Sequence, residues 1–164
     1  MDELRFLTKA ERKQTYHTVF KEAFPPAELK PLQSMERMIA AGDYDFLGFV
    51  RNGALLGYAC CWKDGTFILL DYLCVRAEAR NGGIGAEILR LLRRFYPAGT
   101  VFIGESEAPV GDPARDELIL RRLDFYRRSG AQLLDYDCAL FGVHYKTLAW
   151  ADGPADSGEI QRHH

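Results

Sequence analysis

Apolar positions along the chain repeat first with a helical period and then with a strand period. Leu4–Lys9 reads as a short opening strand. Residues 10–24 place Tyr16, Val19, Phe20, Ala23 and Phe24 on one face, which predicts a helix. Pro25–Pro26 ends it, because proline lacks the N–H and clashes with the preceding turn. A second helix is expected from Leu32 to Ala41, stopped by Gly42. The period then changes to two. Asp43–Arg51 and Ala54–Lys63 are aromatic and aliphatic stretches joined by Asn52–Gly53, the pair that supplies the positive φ angles of a type I′ turn. Asp64–Gly65 repeats the signal before Phe67–Val75, so three antiparallel strands in a row are predicted.

Phe67–Val75 is almost continuously apolar, as a strand covered on both faces should be. Its one charge is Asp71. A helix over about 83–96 follows, with Ile84, Ile88, Leu91, Leu92 and Phe95 at helical spacing. A strand is expected over 100–107. Asp112–Pro113 then supplies an N-cap and a first-turn proline for a helix reaching Arg128, and Gly130 is its stop. Strands over 132–140 and 143–150 complete the domain. The pattern predicts an α+β fold: one mixed, mostly antiparallel sheet of six or seven strands flanked by about four helices. One domain is expected over residues 1–150. No periodic element is legible after Trp150, and residues 151–164 read as a disordered tail that ends in His163–His164.

Composition narrows the classes of function. The chain has 164 residues, 48% of them apolar and 12% aromatic, which suits a folded domain and not a disordered one. Twenty-one basic against twenty-three acidic residues leave a net charge of −2. A nucleic-acid binder would show a strong basic excess. No apolar run approaches the roughly 20 residues that span a bilayer, and the first residues lack a signal peptide's basic start and apolar stretch. Cytoplasmic location, no membrane and no nucleic-acid partner are the expectations. Cys60, Cys61, Cys74 and Cys138 form no C-x-x-C pair and read as buried free thiols. His17 and His144 have no partner at metal-ligand spacing, so no metal is expected.

The informative segment is Val75-Arg-Ala-Glu-Ala-Arg80-Asn-Gly-Gly83-Ile-Gly85-Ala. A buried strand ends, two arginines follow, and a glycine-rich turn opens an amphipathic helix. The first N–H groups of a helix lack internal partners and sit at the positive end of its dipole. Glycines leave them uncovered, and Arg80 adds a bidentate phosphate donor. The physical reading is a pyrophosphate site. A P-loop needs a lysine after its glycines, and none follows here. A dinucleotide-binding turn needs a third glycine where Ile88 stands, and the preceding hairpins are not βαβ units.

Arg80-Asn-Gly-Gly83-Ile-Gly85 resembles the acyl-CoA signature R/Q-x-x-G-x-G/A of the GNAT superfamily of N-acetyltransferases. Leu70–Val75 resembles the family's fourth strand, and Phe125-Tyr126-Arg-Arg-Ser-Gly130-Ala a later helix end of the form F-Y-x-x-x-G-F. The resemblance in element order covers residues 4–150. It implies acetyl-CoA as cosubstrate, in an opening between the fourth and fifth strands. Leu73, Cys74 and Val75 would pair with the pantetheine arm, and the N–H groups of Arg80, Asn81, Gly82, Gly83, Ile84, Gly85 and Ala86 would hold the pyrophosphate. It implies direct transfer to the primary amine of a small molecule or peptide.

Such a transfer needs a base, a polarised carbonyl and a proton for the thiolate. Tyr126 matches the family's tyrosine acid. Asp71 and Glu105 are the candidate bases. Asp71 is expected on a strand face with Leu69 and Leu73. Cys74 has apolar neighbours that would raise a thiol's pKa, which disfavours a nucleophile. Asp43, Asp45, Glu105 and Glu107 are candidates for an acidic mouth. Two positions depart from the family pattern: Ile119 replaces an asparagine seven residues before the tyrosine, and Ala131 replaces a phenylalanine. These departures keep a non-catalytic acyl-CoA-binding module in view as an alternative, and a protein-modifying acetyltransferase is a third reading. Family members are often dimers, so a homodimer stays open.

Overall fold

The structure, a computed structural model, describes residues 2–140, 143–151 and 156–163, with the side chains at 107, 135, 137–140, 143–144, 159 and 162–163 excepted. Seven strands follow the order β1-β2-β3-β4-β5-β7-β6: β1 (Asp2–Phe6), β2 (Tyr44–Arg51), β3 (Ala54–Asp64), β4 (Phe67–Val75), β5 (Val101–Glu107), β6 (Gln132–Leu140) and β7 (Val143–Trp150). The sheet is mixed. β1 and β3 run antiparallel to β2, β7 runs antiparallel to β5 and β6, and β4 runs parallel to β5 from Phe67–Val101 to Leu69–Ile103. The residues group into two compact units, 1–63 with 70–98 and 64–69 with 99–164.

The first unit holds β1, β2, most of β3, the second half of β4 and four helices: α1 (Lys9–Thr15), α2 (Lys21–Ala23), α3 (Leu32–Ala40) and α4 (Ile84–Phe95). Thr8 caps α1 in a capping box with Glu11, which satisfies two N–H groups reciprocally. The single helix expected over 10–24 is interrupted. Tyr16–Phe20 winds as a wider π turn, with the Lys21 N–H reaching the Tyr16 carbonyl. The wider turn puts one extra residue into the helix and brings Tyr16 and Phe20, both buried, onto the sheet. Phe20 stacks on Phe46 at 5.1 Å and meets Tyr58 edge-on at 6.0 Å. Asn52 and Gly53 take φ of 52° and 80°, as the type I′ turn requires. On α4, Leu89 is buried with Ile84, Ile88 and Leu92, where the spacing favoured Leu91.

The second unit carries β5, β6 and β7 with α5 (Pro113–Arg128) and α6 (Ser157–His163). Asp112 caps α5 through the N–H groups of Ala114 and Arg115. Gly130, at φ 94°, lies just past its end. The sequence predicts no element beyond Trp150, yet α6 forms and buries Ile160 against a core of Phe67, Ile103, Leu134 and Ala149. One apolar residue carries no periodicity, which is why the pattern was silent there. No helix among the described residues is long and apolar enough to cross a membrane.

Candidate functional site

The segment after β4 is shaped by backbone conformation. Ala77–Ala79 makes one 3₁₀ turn, and Arg80 is extended at φ −67°, ψ 157°. Asn81 and Gly83 then take φ of 67° and 76°. Left-handed values are strained for a residue with a Cβ, least so for asparagine, and free for glycine. Gly83 is the N-cap of α4 and brings no side chain, so no side-chain cap covers the first turn. α1 and α5, by contrast, are capped by Thr8 and Asp112. Asn81, Gly82, Gly83 and Ala86 are exposed. The result is a twelve-residue helix whose positive end faces outward behind flat backbone.

Two features hold this end in place. Gly57 on β3 lies beneath α4: a Cβ there would sit 2.6 Å from Ile88 Cδ1, 3.1 Å from the Cys74 carbonyl oxygen and 3.6 Å from Ile84 Cγ2. Only glycine lets α4 approach the sheet this closely. Arg80 folds back so that its Nε donates to the Val75 carbonyl at 3.2 Å, while the residue stays exposed. Arg76 is fixed separately, its N–H on the Leu56 carbonyl at 2.9 Å and its Nε on Tyr58 Oη at 2.9 Å. The expected cofactor residues Leu73, Cys74, Val75 and Arg80–Ala86 thus form one continuous strand-turn-helix run within the first unit. An uncapped helix start, two left-handed residues and an exposed guanidinium fit a pyrophosphate.

Cys74 is buried in the core beside Tyr58 and Tyr72. Burial pushes its thiol up, against the pull of Arg80 and Arg76, so it stays a neutral packing residue. Cys60 and Cys61 are likewise raised by burial, Cys61 to about 12. The side chains of Cys138 and His144 lie outside the described residues. Among the described residues no three His, Cys, Asp or Glu side chains gather as metal ligands.

Asp71 has company that its sequence position did not announce. Both its oxygens accept from Lys30 Nζ, at 2.8 and 2.9 Å, and Oδ2 also accepts from Tyr44 Oη at 2.5 Å. Lys30 Nζ lies 5.4 Å from the centroid of the Tyr72 ring, and the Lys30 N–H donates to Tyr72 Oη at 2.9 Å. Asp71 and Tyr72 are adjacent, yet both turn to Lys30. The two reach different parts of Lys30: Asp71 its ammonium, Tyr72 Oη its backbone N–H. No sequence signal pairs Lys30 with a residue 41 positions away; the segment 25–31 has no period to read.

A second carboxylate departs from expectation. Asp45, read as part of an acidic mouth, is buried: it accepts from Tyr96 Oη at 2.7 Å and pairs with Lys63 at 3.1 Å. Glu105 lies on β5 and Tyr126 on α5, both in the second unit. Tyr126 meets Trp150 edge-on at 5.7 Å. Burial raises its hydroxyl above the ordinary phenol value, with Arg122 pulling the other way.

The sequence matches the acetyltransferase (GNAT) domain family over residues 8–104. The chain therefore belongs to the GNAT acetyltransferase family. A search of curated proteins finds no match. Solved structures share the fold. A GNAT-family protein from Bacteroides thetaiotaomicron superposes with a TM-score of 0.81 at 22% identity, over 98% of this chain and 94% of that one. The ribosomal-protein-S18-alanine N-acetyltransferase of Escherichia coli gives 0.60 at 16% identity, covering 95% and 97%. An aminoglycoside 6′-N-acetyltransferase complexed with coenzyme A gives 0.63 at 11%, covering 93% and 98%.

Proposed function

We propose that this protein is an acetyl-CoA-dependent N-acetyltransferase that moves the acetyl group directly to the primary amine of a small molecule or peptide. The carrying observation is the uncapped start of α4, entered through left-handed Asn81 and Gly83 with Arg80 exposed beside it. In this reading the N–H groups of Arg80–Ala86 hold the pyrophosphate, and the backbone of Leu73–Val75 pairs with the pantetheine arm. The coenzyme A in the aminoglycoside acetyltransferase of the same fold supports it, as does the family assignment.

Acetyl-CoA supplies the acyl group as a thioester. Asp71 accepts from Lys30 and Tyr44, and Asp71 or Glu105 serves as the base, directly or through a water. The base takes one proton from the acceptor ammonium, and the amine nitrogen forms the new bond to the acyl carbon as the C–S bond breaks. Tyr126, kept protonated by burial, gives its proton to the leaving thiolate. The second N–H proton passes through water to the Tyr126 phenolate left after the thiolate is protonated.

Calorimetric titration with acetyl-CoA, with NAD as control, tests the cofactor site. Binding in the micromolar range with NAD silent is expected. A charge-assisted hydrogen bond contributes about 1.5–3 kcal/mol, so Arg80→Glu should weaken acetyl-CoA binding by roughly tenfold or more. An affinity indifferent to Arg80 would remove it from the phosphate site, and no binding at all would overturn the function.

A further inference from the structure

Asp71 sits in surroundings built for an ammonium ion. Its side chain is 13% exposed. Tyr44 Oη, itself almost fully buried, orients Oδ2. The two tyrosines that meet the Asp71–Lys30 ion pair are themselves packed on aromatic rings: Tyr44 on Trp62, centroids 5.2 Å apart, and Tyr72 on Phe24, 4.9 Å apart. A carboxylate beside aromatic faces is the chemistry that selects ammonium groups, because charge and ring quadrupole both favour a cation. The occupant is the protein's own Lys30, whose ammonium lies on both Asp71 oxygens and near the Tyr72 ring.

Lys30 differs from a core ion-pair partner in two respects. Its side chain is 35% exposed, well above that of Asp71. Its main chain is held without the side chain: the Lys30 N–H donates to Tyr72 Oη, its carbonyl accepts from Tyr16 Oη at 2.7 Å, and Tyr72 Oη donates to the Glu28 carbonyl at 2.6 Å. Three hydrogen bonds pin the segment 28–30 to the core. The ammonium can therefore leave Asp71 while the segment keeps its place.

We infer that the Asp71–Tyr44–Tyr72 cage is an ammonium subsite for the acceptor, and that Lys30 fills it as a tethered competitor. The inference rests on the proposed acetyltransferase reading and deepens it by naming the acceptor: a flexible primary ammonium without a neighbouring anionic group, since an anion would meet Asp71 itself. Lys30 then sets specificity. Only an amine that outcompetes an ammonium already in place gains Asp71, and neutral or anionic analogues are refused.

Occupancy by a tethered competitor lowers apparent affinity by the fraction of time the cage is open. If Lys30 leaves it open roughly a tenth of the time, removing the ammonium should tighten amine binding about tenfold. The experiment titrates 1,4-diaminobutane, with 1,4-butanediol as neutral control, into the wild type, Lys30→Gln, Lys30→Arg and Lys30→Gln/Asp71→Asn. Tighter diamine binding is expected in Lys30→Gln alone, with loss of the gain in the double variant and no response to the diol. Unchanged or weaker binding in Lys30→Gln would overturn the inference. A second measurement needs no variant: NMR of wild-type protein with ¹³C-labelled lysines should show the Lys30 ε signal shift as diamine displaces its ammonium. A signal that stays fixed at saturating diamine overturns the inference equally. An acetyl-CoA titration of the same samples separates the two readings, because failure there removes the transferase function whatever the diamine does.

Discussion

At the scale of single residues, what matters is which groups are already committed to partners. Asp71 reads from sequence as a lone carboxylate in an apolar strand, yet it accepts three hydrogen bonds from Lys30 and Tyr44. Asp45 looked like surface acid and is a buried acceptor of Tyr96 and Lys63. Such partners come from distant parts of the chain, and no local pattern encodes them. Tyr126 was singled out by its place in the motif Phe125-Tyr126, and its proposed role as the acid can be tested directly. Its hydroxyl is raised by burial, which keeps the proton on the oxygen across the neutral range, as an acid requires. Removing that oxygen should therefore cost chemistry more than binding. A positioned acid or base typically contributes 10²–10⁴-fold, so Tyr126→Phe should lower kcat by roughly a hundredfold with acetyl-CoA affinity unchanged. An unaltered turnover would take Tyr126 out of the reaction.

At the scale of elements, the turn residues were legible and the fine phase was not. Asn52–Gly53 and Gly130 each announced a boundary through a left-handed backbone conformation few other residues adopt, and Asp112–Pro113 through a side-chain cap and a first-turn proline, and each stands where it was expected. The π turn at Tyr16–Phe20 was invisible, because Tyr16 and Phe20 satisfy a regular helical period just as well. The role of Gly57 was equally hidden, since a glycine inside a strand gives no hint of what lies above it. A Cβ at that position would meet Ile88 Cδ1 at 2.6 Å and the Cys74 carbonyl at 3.1 Å. The side-chain tip can yield; the carbonyl belongs to a packed strand. Overpacking of this kind costs about 1–3 kcal/mol. Urea denaturation should show that loss for Gly57→Ala, together with weaker acetyl-CoA binding as α4 is pushed from the sheet. Ile88→Val deletes the atom at 2.6 Å, so the double variant should be more stable than the two single losses predict. Simple additivity would show that the contact does not set the position of α4.

At the scale of the whole molecule, the family was legible in Arg80–Gly85 together with Leu70–Val75 and Phe125–Gly130 in the right order of elements, because a glycine-rich helix start between a buried strand and a later motif helix fits few other folds. The C-terminal helix did not follow, since Ile160 joins its core through tertiary contact alone. Stability against acid is also a whole-molecule property, and here it gathers at the first strand. Arg51 pairs with Asp2 at 2.7 Å and ties β1 to β2. Arg5 holds Glu11 through two hydrogen bonds, of 2.9 and 2.8 Å, and ties β1 to α1. Glu11 also accepts from the Thr8 N–H. The Arg5 hydrogen bond, followed by the Thr8 backbone bond, lowers the Glu11 carboxyl from 4.5 to about 2. A depressed folded-state pKa means that the unfolded chain takes up the proton first. The contribution of Glu11 is thus complete above pH 4.5 and drains away as pH falls from there toward 2. Thermal melting from pH 7 to pH 2.5 should show Tm falling below about pH 4.5. Glu11→Gln should lower Tm at neutral pH and flatten the acid limb, because the variant has no proton left to take up at that position. The effect is modest, since both partners are partly exposed and solvent screens the pair. An acid limb of the same slope in Glu11→Gln would shift the loss to other carboxylates, Asp2 first among them, since Arg51 lowers its pKa in the same direction.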